Sequence, residues 1–170
     1  TAAEKAAGQK AQFLLLPEMF CCPYDTASFP EYAEEEGGPV YTLCSELARK
    51  YGIYFSAGTI PERDSRDRIY NTAYVFDPEG RQIAKHRKMH LFDIQVQGGQ
   101  HFRESDVLSA GNSVTVFDTV FGTFGLAVCF DIRFPELFRL MALKGARIIL
   151  VPAAFNMTTG PGHWELLFRS

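Results

Sequence analysis

The stretch Leu126–Leu137, reading LAVCFDIRFPEL, constrains this chain most. The apolar run before it, with Phe121, Phe124 and Val128, predicts a buried strand over Thr123–Cys129. That strand ends on a cysteine, and Pro135 then stands where it can open a helix over Phe134–Lys144 with Leu137, Leu140 and Met141 inward. A strand-to-helix turn lifts one side chain out of a sheet and aims free backbone N–H groups beside it. Cys129 is therefore a candidate nucleophile, although on this stretch alone an inert buried cysteine is an equal reading.

The same design recurs upstream. Gln12–Leu16 (QFLLL) reads as a short buried strand running into Pro17-Glu18-Met19-Phe20. A carboxylate just after a buried strand belongs at a strand end or in chemistry, because burying it alone is costly. Cys21–Gly38 reads as loop, with Glu34-Glu35-Glu36 as a solvated face. Pro39–Tyr51 has helical spacing and a C-capping Gly52. Strands are expected at Ile53–Ile60, Ile69–Phe76 and Arg81–His86, the last two joined by the Asp77-Pro78-Glu79-Gly80 turn.

Lys85-His86-Arg87-Lys88-Met89-His90 follows, placing Lys88 at a strand end. His86 and His90 lack the HExxH context of a metal helix, so no metal is expected. Gln95–Ala110 reads as a loop containing Glu104, Val114–Phe117 as a strand, and Arg147–Val151 as another buried strand. A last helix starts near His163. Strands suited to a sheet interior alternate with helices, which predicts an α/β layered fold.

Composition excludes several classes. The 170 residues carry 17 Lys+Arg against 20 Asp+Glu, a net charge of −3, which offers no basic surplus for nucleic acid. No apolar run reaches the roughly 18 residues a membrane span needs. The four cysteines form no CxxC pair, which suits a reducing, cytoplasmic setting. The chain lacks an initiator Met, opens in what reads as the tail of a helix and closes in a helix under way, so a piece of a longer protein is expected.

Three segments, PEMF with Glu18, HRKMHLFD with Lys88 and CFDIRFPEL with Cys129, together resemble the nitrilase (carbon–nitrogen hydrolase) superfamily over essentially the whole chain. FPEYAEE, IYNTAYVFDPEG, KHRKMHLFDI and FNMTTGPGHWELLFRS are similar to its ω-amidase branch. The resemblance implies an αββα sandwich, incomplete at both ends, with residues 1–170 forming one hydrolase domain. It also implies a homodimer without cofactor that hydrolyses the terminal amide of α-keto dicarboxylic acid monoamides. A sister amidase acting on deaminated glutathione or N-carbamoyl substrates, and a truncated, inactive scaffold, are the alternatives.

Residue by residue, the resemblance makes Cys129 the nucleophile, Glu18 the proton carrier and Lys88 the cation holding the oxyanion, with the N–H of Phe130 as second donor. Glu104 resembles a second family glutamate that positions Lys88. Arg133 can clamp the far carboxylate with a bidentate fork, and Thr159 and backbone near Phe155 can complete that pocket. A structural ion pair of Arg133 with Asp131 or Glu136 is the competing reading. The neighbouring cation is expected to lower the Cys129 thiol pKa.

Overall fold

A computed structural model describes residues 1–95, 101–157 and 160–170. In chain order, the helices and strands are α1 (Ala2–Gly8), β1 (Phe13–Leu15), α2 (Ser28–Tyr32), α3 (Pro39–Tyr51), β2 (Tyr54–Ser56), β3 (Ile60–Arg63), β4 (Ile69–Phe76) and β5 (Gln82–Arg87). They continue as β6 (Asp93–Gln95), β7 (His101–Arg103), β8 (Thr115–Thr119), β9 (Gly122–Leu126), α4 (Pro135–Leu143), β10 (Ile148–Leu150) and α5 (Gly160–Arg169).

Two sheets make the middle of an αββα sandwich. In the first, β1 runs parallel to β2, both β2 and β3 pair antiparallel with one edge of β4, and β5 pairs antiparallel with its other edge. In the second, β9 lies between a parallel β10 and an antiparallel β8. β4 shows why the layers form. All eight of its residues are buried, so each face of the pleat needs a cover. Ala73 and Val75 meet Phe117, Phe124 and Leu126 of the second sheet, while Tyr74 and Phe76 meet Cys44 and Ala48 of α3. On the far side, Leu137 and Met141 of α4 close over Ala127.

β1, β5, β9 and β10 each hand their following residue to the same region. Because β2 runs with β1 and against β4, and β5 runs against β4, β1 and β5 point the same way. Their carboxyl ends carry Glu18 and Lys88.

Four expectations need correction. The expected strand Ile53–Ile60 is interrupted between β2 and β3 by Ala57-Gly58-Thr59, with Gly58 at φ +53°. Leu140 does not face inward: α4 buries a narrow i, i+4 stripe of Leu137 and Met141, and Leu140 is 47% exposed beside it. The Gln95–Ala110 segment contains β7 and a 3₁₀ turn at Glu104–Asp106. The acidic triplet is not merely solvated. The Glu34 carboxylate accepts the N–H groups of Val40 (2.9 Å) and Tyr41 (2.8 Å), capping α3 where Gly38 has no side chain to do so, and Glu36 pairs with Lys85.

Gly58 matters to the site directly. A Cβ there would lie 1.9 Å from the Pro17 carbonyl oxygen, so the chain before Glu18 can approach only a glycine. Thr59 then accepts the Met19 N–H on its hydroxyl at 2.8 Å. Gly58→Ala is expected to cost about 1–3 kcal/mol through the positive φ alone and to displace Glu18 as well. Urea unfolding at constant m and turnover of the same sample check both effects.

Candidate active site

Cys129 follows β9 at the first residue of a 3₁₀ turn spanning Cys129–Arg133, with φ at +42°. A non-glycine residue held there is strained, and the turn is over-determined to hold it. The Cys129 N–H donates to the Pro152 carbonyl at 3.0 Å, tying it to the end of β10. Asp131, fully buried, accepts the N–H of Val128 (2.9 Å) and of His90 (2.9 Å), and its oxygens also meet His90 Nδ1 (2.8 Å) and His86 Nε2 (3.3 Å). Burial alone would raise its pKa, but these bonds outweigh burial and hold the carboxyl below its usual range. His86 and His90 thus brace the turn.

Beneath the cysteine lies a buried charge cluster. Lys88 Nζ sits 2.9 Å from Glu18 Oε1 and 3.0 Å from Glu104 Oε1, and both the lysine and Glu104 have no exposed surface. Burial opposes the ammonium, yet the two carboxylates outweigh it, so the Lys88 pKa stands above its ordinary 10.5. Glu18 Oε1 also accepts from Asn71 Nδ2 (2.8 Å) and from the Tyr24 hydroxyl (3.0 Å). Tyr24 reaches Glu104 Oε1 at 2.6 Å as well, bridging the two acids, and Glu104 Oε2 accepts the Phe92 N–H at 2.7 Å.

Lys88 and Asn71 donate to Glu18 Oε1, the single Tyr24 proton is shared between Oε1 and Glu104, and the other oxygen, Oε2, has a different partner. It accepts the Ala154 N–H at 3.0 Å. The expected lowering of the thiol pKa is corrected here. Burial and the Glu18 charge push it up, and Lys88 only partly offsets them, so Cys129 rests as a thiol beside a carboxylate.

A cavity of about 300 Å³ opens above the sulfur, lined by Tyr24, Phe92, Phe102, Cys129, Phe130, Arg133, Ala154, Phe155 and Asn156. Arg133 makes no ion pair with Asp131 or Glu136. Its Nη2 donates to His163 Nδ1 of α5 at 2.8 Å, and its guanidinium stacks 5.3 Å from the Phe130 ring. Phe155 also lines the cavity and packs edge-on against Trp164. Thr159 lies outside the described residues. The structure therefore brings together Glu18, Lys88, Glu104 and Cys129, with Phe130, Arg133 and Phe155 around the opening.

Sequence reasoning missed Tyr24, Asn71, Asp131 and Ala154. Tyr24 and Asn71 act only through folding: one sits in a loop, the other inside a strand whose pattern reads as core. Asp131 was in view but considered only as a partner for Arg133.

The family model for carbon-nitrogen hydrolases matches residues 1–170. The chain belongs to the carbon–nitrogen hydrolase family. A curated member, omega-amidase NIT2-A of Xenopus laevis, is 50% identical over 98% of this chain and 60% of its own length. Among solved structures, Saccharomyces cerevisiae Nit3 of the nitrilase superfamily superposes with a TM-score of 0.87 at 42% identity, covering 99% of this chain and 62% of Nit3. An amidase from Nesterenkonia sp. AN1, whose active-site cysteine takes up acrylamide, superposes at 0.75 with 26% identity, over 95% of this chain and 62% of that one. This carbon–nitrogen hydrolase chain spans about 60% of the length of the curated relatives it matches.

Proposed function

We propose that the protein containing this carbon–nitrogen hydrolase domain, residues 1–170, is an ω-amidase that cleaves the terminal amide of α-keto dicarboxylic acid monoamides such as α-ketoglutaramate and α-ketosuccinamate. The observation that carries the reading is that Cys129, which lines the cavity, has the paired Glu18 carboxylate and Lys88 ammonium, 2.9 Å apart, as its charged neighbours. Half-identity to an omega-amidase supports the branch.

In this mechanism Glu18 takes the thiol proton as Cys129 sulfur attacks the amide carbon. The tetrahedral oxyanion faces the Lys88 ammonium and the Phe130 N–H, one of the amides a 3₁₀ turn leaves without an internal partner. Glu18 returns its proton to the leaving nitrogen, releasing ammonia and a thioester on Cys129. Glu18 then draws a proton from water, which hydrolyses the thioester and frees the carboxylate. Glu104 and Tyr24 hold Lys88 and Glu18 in place.

The far carboxylate of the substrate meets Arg133, which lines the same cavity as the sulfur. Arg133→Met is expected to lower kcat/KM for α-ketoglutaramate by roughly 10- to 100-fold, the worth of a charged hydrogen bond, and to spare a neutral amide of similar size. The deciding experiment measures ammonia release from a panel holding α-ketoglutaramate, deaminated glutathione and N-carbamoyl compounds. Preference for either of the latter two would overturn the ω-amidase reading while keeping the hydrolase chemistry.

A homodimer belongs to the same reading, supported by the apolar surface that Leu143 of α4 and Leu166 of α5 expose. So does a reducing, cytoplasmic setting, supported by four free cysteines. No helix among the described residues is long and apolar enough to cross a membrane.

A further inference from the structure

We propose that Cys21 and Cys22 form a redox modification site, a vicinal dithiol that a peroxide oxidises to a disulfide and that thereby switches off the neighbouring active site. Three features carry it. The two side chains are adjacent in sequence and half-buried, with the Cys22 thiol 3.9 Å from the Met19 carbonyl, whereas Cys44 is buried. They lie on the tight turn in which the Cys22 N–H donates to the Met19 carbonyl at 3.2 Å, with Met19 at a left-handed φ of +49°. The turn is bracketed by Glu18 on one side and Tyr24 on the other, and those two side chains meet again at 3.0 Å in the charge cluster.

Each thiol shifts its neighbour, the Cys22 pKa going down and that of Cys21 up, which designates Cys22 as the first nucleophile. Burial pushes the Cys44 thiol up to about 12 and keeps it inert. The Cys22 thiolate attacks one peroxide oxygen, the O–O bond breaks, and the departing hydroxide leaves as water after taking a proton. The resulting sulfenic acid is attacked by the Cys21 sulfur, whose proton leaves with the expelled hydroxide as a second water. Both sulfurs are oxidised and both peroxide oxygens reduced; two thiols and one hydrogen peroxide give one disulfide and two waters.

Adjacent Cα atoms stand about 3.8 Å apart, whereas ordinary disulfides span roughly 4.4–6.8 Å. The new bond is therefore strained and easily reduced, the property of a regulatory rather than a structural disulfide. Its strain falls on the Met19–Cys22 turn, and a shift of about 1 Å in a positioned catalytic group can cost on the order of 10²-fold in rate.

The test has two arms. In the chain carrying Cys44→Ala and Cys129→Ala, hydrogen peroxide should remove two hydrogen atoms from the intact monomer mass, and dithiothreitol should restore them. This arm needs no activity and stands whatever the substrate proves to be. In the otherwise unaltered protein, the same treatment should slow ammonia release by about 10²-fold, reversibly, and Cys21→Ser should abolish the reversible part while leaving untreated turnover unchanged. A monomer that keeps its two hydrogens overturns the site. A disulfide that forms without loss of turnover, or reversible loss that survives Cys21→Ser, overturns the switch.

Discussion

Cys129→Ala is expected to end ammonia release, with kcat falling by about 10⁶-fold, and to leave the protein folded. Every route to product in the proposed mechanism passes through a bond to that sulfur, and no second thiol lines the cavity. The fold survives because Asp131, not the cysteine side chain, ties down the turn through the N–H groups of Val128 and His90. The left-handed φ of +42° adds a second readout. Cys129→Gly should be more stable than Cys129→Ala by about 1 kcal/mol, because glycine occupies that region without steric cost and alanine does not. Urea midpoints of the two variants measure the difference. Equal midpoints would remove strain from the account, and residual turnover near the unaltered rate would remove the nucleophile.

Lys88→Met should abolish activity and also cost about 3–5 kcal/mol of stability, because it strips the cation from two buried carboxylates. The loss depends on pH in a defined direction. In the unaltered protein Lys88 has a pKa raised above 10.5, so its contribution is fully present below that value and is lost only as pH rises through the higher folded one. Across neutral pH it is constant. Chemical unfolding of both proteins at about pH 7 and about pH 9 checks this: the stability gap should be the same at the two values, and a gap below about 1 kcal/mol would mean that Lys88 does not neutralise the two carboxylates.

Residues that announce themselves by chemistry at a strand end were legible in the sequence. Glu18 after QFLLL, Lys88 after the Arg81–His86 strand and Cys129 before FPEL each break an apolar pattern with a polar group at a carboxyl end. Tyr24 and Asn71 were not, because their patterns are ordinary: a loop tyrosine and a strand asparagine become donors only when Glu18 folds against them. The direction of the thiol shift was misjudged for a related reason. A cation beside a cysteine is readable from motif order, but the depth of burial and the Glu18 charge that overrule it are properties of the packed interior. The break in Ile53–Ile60 is likewise a tertiary event. Gly58 leaves the extended path because Pro17 must pass over it.

The carboxylate of Glu18 hangs from the first sheet, while the amide of Ala154 that grips its second oxygen hangs from the end of β10 in the other. Between the two sheets is packed the layer that includes Ala73, Val75, Phe117, Phe124 and Leu126. The reactive centre thus doubles as a caliper whose jaws are the two sheets, and the thickness of the hydrocarbon filling sets its opening. On the proposed function, residues of that layer that never touch an amide would hold the proton carrier at its distance from the opposite sheet.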